Sequence, residues 1–235
     1  MRLLVTIIND FCASLKDSYI EWKNILINPN YCRRDKEITW NRRLSQMMPV
    51  NSTILDVISL IENQQYSFQV SLDESIIQLY YKFSNENIIT SANLAYYGAI
   101  PWGAMRLTKK NDKEGNSFGQ VQSQVTPEIE NEYVSWIRID YDSACEKPSI
   151  IHHLAHLHIA GISSGRIPFD TLPSPFQFID FVIASYYPDQ YRKARISESG
   201  LLLKPSKIKR LSKHQVVVVS DEILPYSIHL SIPKS

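Results

Sequence analysis

Ser67-Phe68-Gln69-Val70-Ser71-Leu72-Asp73-Glu74-Ser75-Ile76-Ile77-Gln78-Leu79-Tyr80-Tyr81-Lys82-Phe83 is the stretch that decides the fold class. Its first six residues alternate polar and apolar, Asp73-Glu74 supplies a turn, and Ile76 to Phe83 continue with β-branched and aromatic residues. That pattern predicts a hairpin. Working outward, a third strand is expected from Ile88 to Tyr97, closed by Gly98. A fourth follows over Glu132 to Tyr141, with His152 to Ala160 as its partner. Two late strands fit Gln215–Val219 and Tyr226–Ile232. Strands run together, no alternating strand–helix rhythm appears, and there is no internal repeat. The expected class is therefore α+β, a mostly antiparallel sheet flanked by helices, with an N-terminal helical segment.

The helices lie at the flanks of the strand block. Leu4, Ile7, Ile8, Phe11, Leu15, Tyr19, Trp22 and Leu26 recur at three- and four-residue steps, one stripe of a 3.6-residue helix that Pro29 ends. Tyr31 to Pro49 is polar and basic and gives no clear period. Ile54 to Asn63 predicts a second helix, capped by Ser52 or Thr53, with Leu55, Ile58 and Ile61 facing inward. Ser174 can cap a third helix with Pro175 at its first position, running through Phe176 to Tyr187 and stopped by Pro188. The organisation expected is a helical segment over 1–65 and an α+β domain over 66–235. The aperiodic, glycine-containing stretch 108–123 is read as a mobile loop.

A chain of 235 residues, 44% apolar and 21% charged, excludes wholesale disorder and fibrous repeats. Three scattered cysteines, Cys12, Cys32 and Cys145, make neither a disulfide scaffold nor a cysteine-built zinc site. The apolar run Leu3 to Ile8 is too short for a signal-peptide core, and no uncharged run is long enough to span a membrane. A soluble cytoplasmic protein with no membrane contact is expected. The charge is uneven: 8 basic and 5 acidic side chains over residues 1–50, 8 and 15 over 51–187, and 9 and 4 over 188–235. Basic ends around an acidic middle suit either contact with nucleic acid or docking within the same chain.

Four of the six histidines fall in one short run, Ile151-His152-His153-Leu154-Ala155-His156-Leu157-His158-Ile159. On a strand His152, His156 and His158 share a face, because side chains alternate with period two. Trp136, Arg138 and Asp140 share one on the preceding strand. A hairpin closed by the loop Ser143–Ser149 sets Asp140 opposite His152 and Trp136 opposite His156. Imidazoles titrate near neutral pH, so His156 and His158 can act as base and acid with Asp140 orienting His152. Arg138 or Arg166 can then stabilise charge on a phosphate. These are the ingredients of a metal-independent phosphodiesterase or ribonuclease that needs no cofactor. The same imidazoles with Asp140 can instead hold a divalent metal, or simply satisfy buried hydrogen bonds.

Gly161 to Pro168 reads as a turn, with backbone N–H groups and Arg166 available to an anion. It lacks the spacing of a phosphate-binding P-loop, and no dinucleotide fingerprint, nucleophile elbow or kinase set occurs. Two basic stretches complete the inventory. Arg33, Arg34, Lys36, Arg42 and Arg43 surround Tyr31 and Trp40, and Lys204, Lys207, Lys209, Arg210 and Lys213 lie within ten residues. Either is a solvated surface or a place for phosphates, with Lys207, Lys209 and Arg210 as the phosphate-binding candidates and aromatics for bases to stack on.

The series Ile77 to Phe83, Ala92 to Tyr97, Trp136-Ile137-Arg138-Ile139-Asp140-Tyr141, His156-Leu157-His158-Ile159, Arg166-Ile167-Pro168 and the helix from Pro175 to Tyr187 together resemble a bacterial family of domains of unknown function, the one numbered 2290. The similarity runs from about Tyr66 to Pro188. It implies a bacterial cytoplasmic protein, brings no established activity, and points to a defence or toxin-type module directed at nucleic acid. The alternative it leaves open is a non-catalytic subunit of such a complex, holding a protein partner through the N-terminal helix.

Overall fold

The computed structural model describes residues 4–40, 54–98, 135–144, 154–160, 166–169, 171–195 and 217–218. The expected mobile loop 108–123, the caps Ser52 and Thr53, and the strand at Tyr226–Ile232 lie outside them. In chain order the elements are α1 (Leu4–Glu21), β1 (Leu26–Ile27), β2 (Tyr31–Arg34), β3 (Glu37–Trp40), α2 (Ile54–Glu62), β4 (Phe68–Val70), β5 (Ile76–Phe83) and β6 (Ile89–Tyr97). Then come β7 (Trp136–Asp142), β8 (Ala155–Ile159), β9 (Ile167–Phe169), β10 (Thr171–Leu172), α3 (Pro175–Tyr186), α4 (Pro188–Arg195) and β11 (Val217–Val218). The fold is α+β around an antiparallel sheet, as the strand block predicts.

The sheet has nine strands, seven of them in the order β1-β4-β5-β6-β7-β8-β9, with the β2–β3 hairpin joined to β5. The hairpin at Asp73-Glu74 forms as expected, pairing Phe68 with Ile77 and Gln69 with Ile76. Its turn is shaped by Asp73, whose carboxylate accepts the Ser75 N–H at 3.1 Å, and by Glu74 at φ 63°. Gly98 closes β6 where a Cβ would stand 2.8 Å from the Ser135 carbonyl, so the close approach of the two segments requires glycine. A separate small pair joins β10 to β11, and β11 lies within the expected strand Gln215–Val219.

One sheet face carries Ile77, Leu79, Tyr81, Leu94, Tyr96, Ile137, Ile139 and Leu157, buried under α1 and α3. Phe11 of α1 meets the Tyr81 ring edge-on at 4.8 Å, and the Tyr81 hydroxyl donates to the Pro173 carbonyl at 2.9 Å. The two helices are stitched by the Phe176 N–H, which donates to Ser14 Oγ at 2.8 Å. The expected start of α3 is present in full: Ser174 accepts from the Gln177 N–H, and the Gln177 side chain accepts from the Ser174 N–H. At the far end of this layer Arg195 of α4 is buried between Glu21 of α1, at 2.8 Å, and Asp180 of α3. The other sheet face is covered at one end by α2, whose Ile54, Val57 and Ile58 pack with Ile76, Ala95, Tyr97 and Trp136.

Four local expectations are corrected. Helix α1 ends at Glu21, not at Pro29. Leu26 keeps the helical spacing and is fully buried, but it reaches the core as a strand paired with Val70. The polar stretch after Pro29 forms the β2–β3 hairpin, with Ile38 paired to Tyr81, so the segment expected to be helical over 1–65 also contributes three strands to the same sheet. On α2 the buried face turns toward Val57, and Leu55 is exposed. Pro188 does end α3, yet it also opens α4, because a missing N–H costs nothing in a first helical turn. Among the described residues no helix is long and apolar enough to cross a membrane.

Candidate functional site

Alternation on β7 and β8 decides which side chains meet. The observed register pairs Asp140 with His156, Arg138 with His158 and Ile139 with Leu157. The expected pairing of Asp140 with His152 and Trp136 with His156 is thus displaced by four residues along β8. An even displacement leaves every residue on its expected face. The reason for the shift is packing. The expected register would set His153 opposite Ile139 in the core, whereas the observed one sets Leu157 there and Ala155 against Tyr141. The connection lengthens accordingly, and the Asp142 N–H donates to the Leu154 carbonyl at 3.1 Å.

On the face away from α1 and α3, Arg138, Asp140, His156 and His158 form one cluster with Asn93 of β6, which pairs with Asp140. His158 Nε2 lies 3.2 Å from Asp140 Oδ2, and Arg138 Nε donates to the same oxygen at 2.8 Å. Asn93 Nδ2 donates to Asp140 Oδ1 at 2.9 Å. The rings of His156 and His158 stand edge to face with centroids 4.7 Å apart. One ligand-type atom from each of Asp140, His156 and His158 lies within 4.8 Å of the other two. The histidines are only 7% and 6% exposed, but their neighbours are a carboxylate, an amide and a guanidinium. Burial pushes the Asp140 carboxyl up. The hydrogen bond from His158, the Arg138 charge and the Asn93 amide outweigh it, so the net displacement is downward and the carboxylate is held ionised. Burial also pushes up the neighbouring Tyr97 phenol.

Of the residues singled out in the sequence, the structure brings together His156, His158, Asp140 and Arg138. Arg166 is exposed and stands one residue before β9, whose Ile167 pairs with Leu157; continuing that register sets it beside His158. His152, Lys207, Lys209 and Arg210 lie outside the described residues. The first basic stretch is corrected in one respect. Its aromatics do not offer bases a platform, because Trp40 is buried with its indole N–H on Gln65 Oε1 at 3.0 Å, and Tyr31 packs against Phe68. Arg33 and Arg34 remain exposed on β2. The residue that sequence reasoning missed is Asn93. Its signal was a polar side chain between Ala92 and Leu94, in phase with Asp140 across an antiparallel pair.

The family described as an uncharacterized conserved protein (DUF2290) matches residues 22–228 of the chain. No curated protein and no solved structure matches it.

Proposed function

We propose that this chain, which belongs to the DUF2290 family over residues 22–228, is a nucleic-acid-directed phosphodiesterase whose reacting centre is Asp140, His156 and His158. The observation that carries the reading is their meeting on neighbouring strands, with one ligand-type atom from each within 4.8 Å of the others. The centre activates a water against a phosphodiester. Arg138, held on Asp140, and exposed Arg166 supply positive charge for the phosphate. Water activation has two routes through these residues: proton transfer to an imidazole, or a cation held among them.

End-labelled RNA and single- and double-stranded DNA, incubated with wild type and His156→Ala, with and without EDTA, test this. Cleavage by wild type that falls at least 100-fold in the variant is expected. Absence of cleavage by folded wild type overturns it. The burial of both histidines favours a second reading in that case, a non-catalytic interaction subunit in which the cluster fixes β7 against β8.

A further inference from the structure

The convergence of the two imidazoles and the carboxylate has a shape that proton transfer alone does not ask for. In an acid/base pair each imidazole must reach its own oxygen, about 2.6–3.2 Å away, on opposite sides of the phosphorus. Here His156, His158 and Asp140 come together instead, with one ligand-type atom from each within 4.8 Å of the other two. Metal–ligand bonds of about 2.0–2.2 Å bring such atoms roughly 3–3.5 Å apart around a shared centre. His158 Nε2 and Asp140 Oδ2 already stand at 3.2 Å.

We infer that Asp140, His156 and His158 form a binding site for one divalent first-row transition ion. Two imidazole nitrogens and one carboxylate oxygen suit Zn²⁺, Co²⁺, Mn²⁺ or Fe²⁺ rather than the oxygen-seeking Mg²⁺ or Ca²⁺. Three protein ligands leave coordination positions for water and substrate, the pattern of a reacting metal centre rather than a closed structural one. The ion takes the place of the direct contact between His158 Nε2 and Asp140 Oδ2. The supporting contacts exist: Asn93 fixes Asp140 Oδ1 at 2.9 Å and Arg138 Nε fixes Oδ2 at 2.8 Å, so the carboxylate is aimed before any ion arrives. Arg138, Asp140, His156 and His158 stand on paired strands whose other faces are locked in the core, which limits their movement on binding.

This site stands whether or not the substrate is a nucleic acid, and its test reads the metal alone. The full chain is stripped with EDTA, then titrated with Co²⁺ under a visible spectrometer and with Zn²⁺ in a thermal melt. Wild type is expected to develop the d–d bands of a bound ion at one equivalent and to melt higher with Zn²⁺. His156→Ala should lose affinity by more than about 100-fold, and Asn93→Ala by about 10–100-fold as a positioning residue. Wild type with no d–d band and no shift at millimolar metal overturns the site, and so does undiminished binding by a folded His156→Ala variant. The two readings also separate. EDTA-resistant cleavage would overturn the ion's part in the chemistry while keeping the phosphodiesterase. Metal binding without cleavage keeps the site and removes the phosphodiesterase.

Discussion

Two buried arginines divide the molecule. Arg195 is 3% exposed and lies between Glu21 and Asp180, with its guanidinium over the Trp22 ring at 4.8 Å and the Tyr191 ring at 5.3 Å. Arg138 is a little more open and shares Asp140 with His158 and Asn93. Both are ion clusters within protein, but their composition differs. The first sets one guanidinium against two carboxylates and joins three helices. The second sets one guanidinium against one carboxylate and adds two imidazoles, a side chain that commonly ligates metals. Those imidazoles beside a carboxylate are what the proposed reading is built on. Buried charge by itself is therefore a poor guide to function, and the kind of partner is the better one.

The largest effect expected from this contrast is on stability at the helix cluster. Arg195→Met removes the guanidinium that Glu21 and Asp180 share, and should lower the free energy of unfolding by about 3–5 kcal/mol in urea titration. A loss below about 1 kcal/mol would mean the cluster is no clamp. Next comes the tyrosine group on the same side of the sheet, where Tyr187 donates to Asp73 at 3.0 Å and meets Tyr96 at 2.9 Å. Burial lifts the Tyr96 phenol from 10.0 to about 12. The unfolded phenol ionises first, so its contribution is whole below about pH 10 and is lost as pH rises toward the native value. Two units amount to about 3 kcal/mol. Urea midpoints should fall steadily across that window, and midpoints unchanged there would dismiss the coupling.

Smaller stability effects are expected at the sheet cluster, where the loss should appear in chemistry instead. Asp140→Asn should cost about 1–3 kcal/mol, since it weakens charged hydrogen bonds without emptying the site. Cleavage and Co²⁺ binding should nevertheless drop by two orders of magnitude or more, on the order of the 2.7–4 kcal/mol typical of a lost reacting-centre contact. If Asp140→Asn instead behaved like Arg195→Met, destabilised and with activity per folded molecule intact, the contrast between the clusters would collapse. The smallest effect is at the helix cap: Ser174→Ala should cost about 1 kcal/mol in the same titration and leave metal binding alone.

What could be foreseen follows the range of the forces involved. The hairpin at Asp73-Glu74 and the start of α3 were legible because turn chemistry and capping act within a few residues. So was the shared face of Arg138, Asp140, His156 and His158, which depends only on parity. The register was not, since it hangs on which apolar side chain opposes Ile139 across the connection. The β2–β3 hairpin was hidden for a similar reason. Ile38 is a strand residue because Tyr81 lies beside it, more than forty positions away. Nor does any local pattern announce that Glu21, Asp180 and Arg195 will meet, for each is an ordinary charged residue of its own helix.

The stitch between Ser14 and Phe176 spans 162 residues, and that of Arg195 with Glu21 spans 174. On the ribosome the first helix therefore emerges long before the elements that cover it. Its apolar stripe, with Ile8, Phe11 and Leu15, waits while most of the sheet is still being made. A topology so dominated by distant partners folds slowly, and its partly made forms expose adhesive surface. The yield of folded chain should therefore depend on chaperone supply and synthesis temperature more than its native stability would suggest.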